Sequence, residues 1–274
     1  MQTLTKQRAV CELSIGNIGV QLCCNDQYLG ARLRQRYQAF AGSHTAQLVL
    51  HIDVDGELRK HPHENREAIF RRSVMHFTTP GYEGSIDVQQ GVGQLTLSTA
   101  YPLEEIEYGL RVAYALLALH SGGLLLHAAG IVREEQTYLF FGHSGSGKTT
   151  VARLSTADRV LNDDLVLLLP DQERWIAYAT PFSNPTQVSP TGPCNAPVAA
   201  LLRLVQSKDV RLEPMSSGRA LGELVASVPV ATTDPARLTS VFTMCQQLLK
   251  TVPCHRLHFL PDASFWPAVE SLGR

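Results

Sequence analysis

Leu139-Phe-Phe-Gly142-His-Ser-Gly-Ser-Gly-Lys-Thr-Thr150 places a complete G-x-x-x-x-G-K-[ST] pattern directly after an apolar run. That short apolar run is of the kind that forms a buried strand. Glycines at 142, 145 and 147 let the backbone turn tightly and bring successive N–H groups close to an anion, with no Cβ in the way. A helix beginning near Gly147 adds the positive end of its dipole. Strand, loop and helix together predict an α/β fold around a phosphate cradle. Gly142, His143, Ser144, Gly145, Ser146, Gly147, Lys148, Thr149 and Thr150 are the candidate triphosphate-binding residues. In this pattern Lys148 reaches the β and γ phosphates, and the Thr149 hydroxyl ligates Mg²⁺.

The next chemical signal comes early. Asp163-Asp164 lies only about 13 residues after Thr150, inside Val160-Leu-Asn-Asp-Asp-Leu-Val-Leu-Leu168. Adjacent carboxylates in an apolar strand are costly to bury unless a metal or partner compensates them. The alternative is a solvated strand edge, and the segment alone leaves both open. Upstream, Leu124-Leu-Leu-His-Ala-Ala-Gly130 carries His127 about 15 residues before Gly142. Taken alone, a histidine in such a strand is more often a satisfied core residue than a functional one.

Composition narrows the function classes. The chain has 274 residues, 44% apolar and 18% charged, with a net charge near −1. That is ordinary globular composition, enough for one large domain or two small ones. Without a basic stripe, nucleic acid is not expected as the partner. No apolar run approaches the length of a membrane span, and Met1-Gln-Thr-Leu-Thr-Lys6 has no secretory plan, so a cytoplasmic location is expected. Cysteines stand at 11, 23, 24, 194, 245 and 254 with no C-x-x-C spacing. They read as buried, reduced thiols and not as zinc ligands.

The first hundred residues predict an antiparallel β layer. Its strands are expected at Ala9–Ile15, Val20–Cys24, Gln47–Ile52, Ser73–Phe77, Gly84–Val88 and Gln94–Thr99. Gly16-Asn17, Asp55-Gly56, Pro80-Gly81 and Gly91-Val-Gly93 punctuate them as turns, and His61–Arg66 reads as an exposed loop. Residues Gln27–Phe40 predict a helix. Pro102 opens the clearest helix, with Glu104, Glu105 and Glu107 near its start and Ser121-Gly-Gly123 at its end. The domain boundary is expected before it, giving a mainly β region over 1–101 and a core over 102–274.

Within that core, strands are predicted at Leu124–Val132, Gln136–Phe141, Val160–Leu169 and Trp175–Ala179, with a helix over Gly147–Ser155. Residues 180–197 hold five prolines (181, 185, 190, 193 and 197) and predict an irregular loop over the site. Strands at Ala199–Val205, Val210–Met215 and His255–Leu260 follow, with helices near Arg219–Val225 and Pro235–Thr251.

His127, then Gly142–Thr149, then Asp163-Asp164, at these separations, resembles the catalytic core of bacterial HPr kinase/phosphorylases. That family shares its design with ATP-dependent phosphoenolpyruvate carboxykinases. The match covers residues 124–175. It implies a P-loop core with a mixed, strongly antiparallel sheet, ATP as donor and Mg²⁺ as cofactor. It also implies Lys148 on the phosphates, Mg²⁺ on Thr149 and Asp164, Asp163 as general base toward a serine hydroxyl, and His127 tuning that base. The roles of the two aspartates are interchangeable at this point. Ala128 stands where HPr kinases usually carry Gly, the downstream arginine loop for phosphorolysis has no counterpart, and residues 1–100 do not match the regulatory domain. Neither phosphorylase activity nor HPr as substrate therefore carries over.

Asn195-Ala-Pro-Val-Ala-Ala-Leu-Leu-Arg-Leu204, Leu212-Glu-Pro-Met-Ser216 and Val252-Pro-Cys-His-Arg-Leu-His-Phe-Leu-Pro-Asp262 are similar to stand-alone HPr-kinase-related proteins. Some of those phosphorylate a small peptide or protein on serine. The implied partner is such a phosphoacceptor. A homo-oligomer stays open, HPr kinases being hexamers. Arg203 and Arg211 read as solvated surface residues, with phosphate contact as the lesser reading. Two other functions compete: a nucleotide-binding regulator or scaffold without transfer, and a carboxykinase-like enzyme acting on a small carboxylate. The last would need clustered arginines beside the loop, and in sequence only Arg153 and Arg159 stand near it.

Overall fold

The computed structural model describes residues 8–42, 44–55, 67–71, 74–79, 82–98, 102–182, 188, 190, 192–229 and 235–272. The chain divides into two compact units, Met1–Leu117 and Ala118–Arg274. The long helix therefore goes mostly with the first unit, where the sequence reading began the second unit at its start.

The first unit is built on β1 (Ala9–Ile15), β2 (Ile18–Cys24), α1 (Gln27–Tyr37), β3 (Ala46–Val54), β4 (Glu67–Arg71), β5 (Val74–Thr79), β6 (Tyr82–Asp87), β7 (Val92–Leu97) and α2 (Pro102–His120). Ala9, Cys11, Leu13 and Ile15 alternate inward along β1, and Gly16 turns the chain at φ +60° into β2. The Asp26 side chain accepts the Leu29 N–H at 2.7 Å and caps α1, whose Leu29, Leu33 and Tyr37 form its buried face. The sheet runs β1-β2-β3-β7-β6-β5-β4. It is mixed and not antiparallel as expected, because β2/β3 and β3/β7 are parallel pairs. Helix α1 makes the crossover that a parallel β2/β3 pair requires. β4 was not foreseen. In α2 the buried Glu107 pairs with Arg36 and, at 2.9 Å, with Arg111, and the Tyr114 hydroxyl donates to Leu13 O at 3.1 Å. The turns at Gly56 and Pro80-Gly81 and the loop at 61–66 lie outside the described residues.

The second unit comprises β8 (Leu124–Arg133), β9 (Gln136–Phe141), α3 (Lys148–Leu154), β10 (Arg159–Asn162), β11 (Leu165–Asp171), β12 (Arg174–Tyr178), β13 (Asn195–Gln206), β14 (Arg211–Pro214), α4 (Ser217–Val225), α5 (Pro235–Thr251), β15 (Cys254–Phe259) and α6 (Trp266–Glu270). Its eight-stranded sheet is mixed: β13 runs parallel to β9 and to β15, and the other pairs are antiparallel. Pairings β8–β11–β12–β13–β9–β8 close on themselves, because β8 and β13 are each long enough to serve two neighbourhoods. Three expectations change here. The single strand expected at Val160–Leu169 is two strands, broken at Asp163-Asp164. The expected irregular stretch 180–197 already becomes strand at Asn195, with Pro197 opposite Ile176. The short α6, unforeseen, sets Trp266 edge-on against Phe140 at 5.7 Å, beside Phe265.

Two faces of β13 and β15 differ sharply. Leu202, Leu204, Leu257 and Phe259 point into an apolar core shared with Phe140 of β9 and with Val151 and Ala152 of α3. Arg203 lies beside Arg256 and Val205 beside His258 in the parallel register, so the opposite face carries the charge.

Among the described residues, no helix is long and apolar enough to cross a membrane. The six cysteines are unbridged; five are buried and Cys194 is half-buried.

Candidate functional site

The loop after β9 takes its shape from three glycines at positive φ: Gly142 at +150°, Gly145 at +77° and Gly147 at +111°. Two of them also sit against neighbours. A Cβ on Gly142 would stand 2.9 Å from Ser146 Oγ, and one on Gly147 would stand 2.6 Å from Phe259 Cζ. Around a Cβ placed on Gly145 nothing would lie within 4 Å, so that side of the backbone is open to approach. Gly147→Ala combines left-handed strain with a ring clash. We expect it to cost about 2–4 kcal/mol in urea unfolding. Phe259→Leu in the same chain should restore only the clash component; a Gly147→Ala cost below about 0.5 kcal/mol would contradict this geometry.

Lys148 opens α3 and is buried, its Nζ donating to Gly142 O at 3.0 Å and to His143 O at 3.3 Å. Burial pulls its ammonium below the ordinary lysine range, and nearby Asp164 and Asp163 oppose that while Arg203 adds to it. The lysine therefore sits within electrostatic reach of the carboxylate pair and of Arg203. Ser146 N–H closes a turn onto His143 O at 3.1 Å, and the Gln206 side chain ties Gly145 O down at 2.8 Å. The Ser146 hydroxyl is buried without a partner.

The aspartates occupy the break between β10 and β11. Both strands pair with β8, at Gly130–Val132 and at Leu124–His127 respectively, and a bulge at Leu161 precedes the break. Asn162 makes the break. Its Oδ1 accepts the N–H groups of Asp164 at 2.7 Å and Leu165 at 2.9 Å, and its Nδ2 donates to Thr180 O at 3.0 Å and Phe182 O at 2.9 Å. A fully buried amide with every group satisfied thus fixes the backbone that carries both acids.

Asp163 is 1% exposed, and both its oxygens are buried without a hydrogen bond. Burial pushes its carboxyl above the usual carboxylate range. The Thr149 hydroxyl and the Val188 backbone lie beside it and favour the charged form, yet neither reaches good hydrogen-bond geometry. Asp164 faces the other way, its Oδ1 2.8 Å from His127 Nε2. His127 is positioned by the β8/β11 register, opposite Leu165, and its own N–H donates to Ser227 O at 2.8 Å, just past α4. So all three separated sequence elements meet, but with the partners exchanged. The resemblance set His127 with Asp163 and Thr149 with Asp164 but left the two aspartates interchangeable. The geometry couples His127 to Asp164 and Thr149 to Asp163.

A cavity of about 450 Å³ adjoins the loop at His143, Gly145 and Ser146. Arg203, Arg256 and His258 from the charged strand face enter it, with Arg219 and Glu223 from α4. This corrects two expectations. Arg203 is no solvated surface residue, being 15% exposed and paired with Glu223 at 3.2 Å, whereas Arg211 is half-exposed among Asp209 and Glu213. And arginines do cluster beside the loop, delivered by distant strands and not by Arg153 or Arg159. The alternating Leu201-Leu-Arg-Leu204 and Cys254-His-Arg-Leu-His258 patterns were the available signal, as was Asn162 beside the acids.

The residues suit a triphosphate and a divalent cation. Glycine backbone is open where a phosphate would approach, and a buried carboxylate stands unpartnered beside a threonine hydroxyl. Among the described residues no cluster of three or more His, Cys, Asp or Glu forms a metal site by itself. Mg²⁺ commonly takes one or two carboxylates and completes its shell with substrate phosphates and water.

No curated protein matches the chain. Among solved structures, the HPr(Ser) kinase/phosphatase from Coxiella burnetii aligns with 55% of this chain and 93% of that one. Identity is 12% and the TM-score 0.29, too low to carry argument from one to the other. The profile of the SynChlorMet cassette protein ScmC matches residues 105–273, well over half of the chain. The chain belongs to the SynChlorMet cassette protein ScmC family.

Proposed function

We propose that this protein is an ATP- and Mg²⁺-dependent kinase with an HPr-kinase-like P-loop core, phosphorylating a serine hydroxyl of a peptide or small protein. The observation that carries the reading is the convergence of the glycine loop, Lys148, and two aspartates in different environments. Phosphoryl transfer needs a cradle, charge neutralisation and a group that orients or deprotonates the nucleophile. The amides of residues 142–150 and the Lys148 ammonium hold the phosphates. Thr149 and Asp163 are the ligands for Mg²⁺, which when bound neutralises charge developing on the phosphates. Asp164 accepts the proton of the attacking hydroxyl, held in orientation by His127. As the serine oxygen bonds to the γ phosphorus, the bond to the β–γ bridging oxygen breaks and ADP leaves. This assignment exchanges the roles that the resemblance first suggested for the two acids.

The family's name speaks of a cassette, and we take the acceptor to be encoded beside this chain. The test is incubation of the full chain with ATP, Mg²⁺ and each neighbouring gene product, read by mass spectrometry. The expected result is phosphoserine on one of them, absent with Lys148→Ala. Equal phosphoserine from both proteins, or none on any neighbour, would overturn the reading. One observation favours a second acceptor class, a small hydroxylated or carboxylated molecule: the arginine-lined cavity.

A further inference from the structure

The cavity at the carboxyl ends of β13 and β15 meets the loop at His143, Gly145 and Ser146, and its arginines take no part in the phosphoryl transfer proposed above. Its lining holds three guanidinium groups, Arg203, Arg219 and Arg256, against one carboxylate, Glu223. Glu223 is engaged with Arg203. Arg256 has a partly exposed partner in Glu213 at 3.5 Å, and His258 Nε2 stands 3.2 Å from the same carboxylate. Arg219 is exposed and forms no ion pair among the described residues. An excess of cations in a concave site at the carboxyl ends of parallel strands is where α/β folds bind anionic ligands. A volume of about 450 Å³ is also too large for a lone phosphate and suits a small organic anion or an acidic side chain.

Helix α4 links this cavity to the reacting groups. Glu223 lines the cavity, and the backbone carbonyl of Ser227, just past the helix, accepts the His127 backbone N–H at 2.8 Å. Lys148, between them, feels Asp163 and Asp164 as well as Arg203. A Cβ on Gly142 would stand 3.5 Å from Arg203 Nη1, and Lys148 Nζ donates to Gly142 O at 3.0 Å, so the guanidinium cluster and the lysine beside the two acids meet at one residue, within the span of a short extended acceptor.

We propose that this cavity is an oxyanion subsite for the phosphoryl acceptor, which carries a carboxylate or phosphate close to its accepting hydroxyl. The inference rests on the kinase reading for the word acceptor, and on the cavity alone for oxyanion binding. In a peptide acceptor the group is an acidic or phosphorylated side chain within about three residues of the serine. In a small acceptor it is the molecule's own acid. The arginines select the acceptor by charge-assisted, bidentate hydrogen bonds.

The test uses the full chain saturated with Mg-AMP-PNP, titrated calorimetrically with succinate in one arm and inorganic phosphate in the other. At least one anion should bind, and Arg219→Glu and Arg256→Gln should each weaken it at least about tenfold. Mg-AMP-PNP affinity should stay within about threefold, and unchanged melting temperatures would show both variants folded. The arm that binds identifies carboxylate or phosphate as the preferred group. Equal binding to the unaltered chain and to both variants would overturn the proposal. So would displacement of the anion by Mg-AMP-PNP, since the cavity would then belong to the donor's phosphates. If the nucleotide analogue does not bind at all, the kinase reading falls, and the same titrations on the nucleotide-free chain still decide the subsite.

Discussion

Asp164→Asn is expected to lower phosphoryl transfer by about 10²–10⁴-fold, the usual contribution of a general base, with Mg-nucleotide affinity nearly unchanged. The amide keeps the shape of the carboxylate 2.8 Å from His127 Nε2 but accepts no proton. Its neighbour should behave differently. Asp163→Asn removes a charge from a site that is 1% exposed and offers no hydrogen bond. An unpartnered buried charge costs more than an unpartnered amide, so this variant should be more stable, by about 1 kcal/mol or more at neutral pH. It should also need far more Mg²⁺ for whatever transfer remains. The pH dependence follows from the direction of the shift. A carboxyl raised by burial holds its proton more firmly folded than unfolded. Stability therefore falls as pH rises from the ordinary aspartate value to the raised one, and the penalty is fully present above it. Asp163→Asn should remove that slope. Rate profiles against Mg²⁺ for both variants, with melting curves between pH 4 and pH 8, separate the two roles. Equal Mg²⁺ dependence in both would contradict the assignment.

Asn162→Ala should produce the largest loss of stability of any single change in this region. Four hydrogen bonds end on this one amide, to Asp164 N, Leu165 N, Thr180 O and Phe182 O. Truncation leaves their partners in a buried site with nothing to replace it, and each orphaned group costs about 1–3 kcal/mol. Because the four relax together, the sum is expected at about 3–5 kcal/mol and not the full total. The loss should extend to activity, since the two acids would no longer be aimed by a fixed turn. Asn162→Asp is the sharper control. It keeps both acceptor contacts, turns a carboxylate toward two carbonyl oxygens, and adds charge beside Asp163 and Asp164. Urea unfolding of both variants checks the account, and a cost under 1 kcal/mol for either would contradict it.

What sequence could show here depended on whether the cause was local. The strand at Gln136–Phe141, the glycine loop and the helix after it are set by neighbouring residues, and all three appear as expected. Helix Pro102–His120 was equally plain from its acidic start and apolar spacing. The break at Asp163-Asp164 was not, because apolar residues on both sides of three polar ones read as one strand. What interrupts it is Asn162 reaching to Thr180 and Phe182, residues brought close only by folding. Pro197 misled in the opposite sense. Proline lacks a donor, so it reads as loop. β13 tolerates it where the strand is paired only with β12, before β9 joins at Val198 and β15 at Leu201. The parallel β2/β3/β7 arrangement likewise depends on strand order, to which alternation within a strand is blind.

Candidate residues divide along the same line. His127, the loop and the acids were legible because they lie within about 40 residues at telling intervals. Arg203, Arg219 and Arg256 were not, because β13, α4 and β15 bring them together from separate places in the chain. Which acid meets His127 was also beyond reach, since adjacent residues at a bent strand junction point in directions that the bend decides.

In the proposed kinase, residues 142–150 hold a nucleoside triphosphate through Lys148. The most direct test is calorimetric titration of the full chain with Mg-AMP-PNP, beside Lys148→Ala. Saturable one-to-one binding is expected, weakened about 100-fold in the variant, a loss of roughly 3 kcal/mol, as when a buried cation on phosphate is removed. Binding to the unaltered chain no tighter than to Lys148→Ala would contradict it.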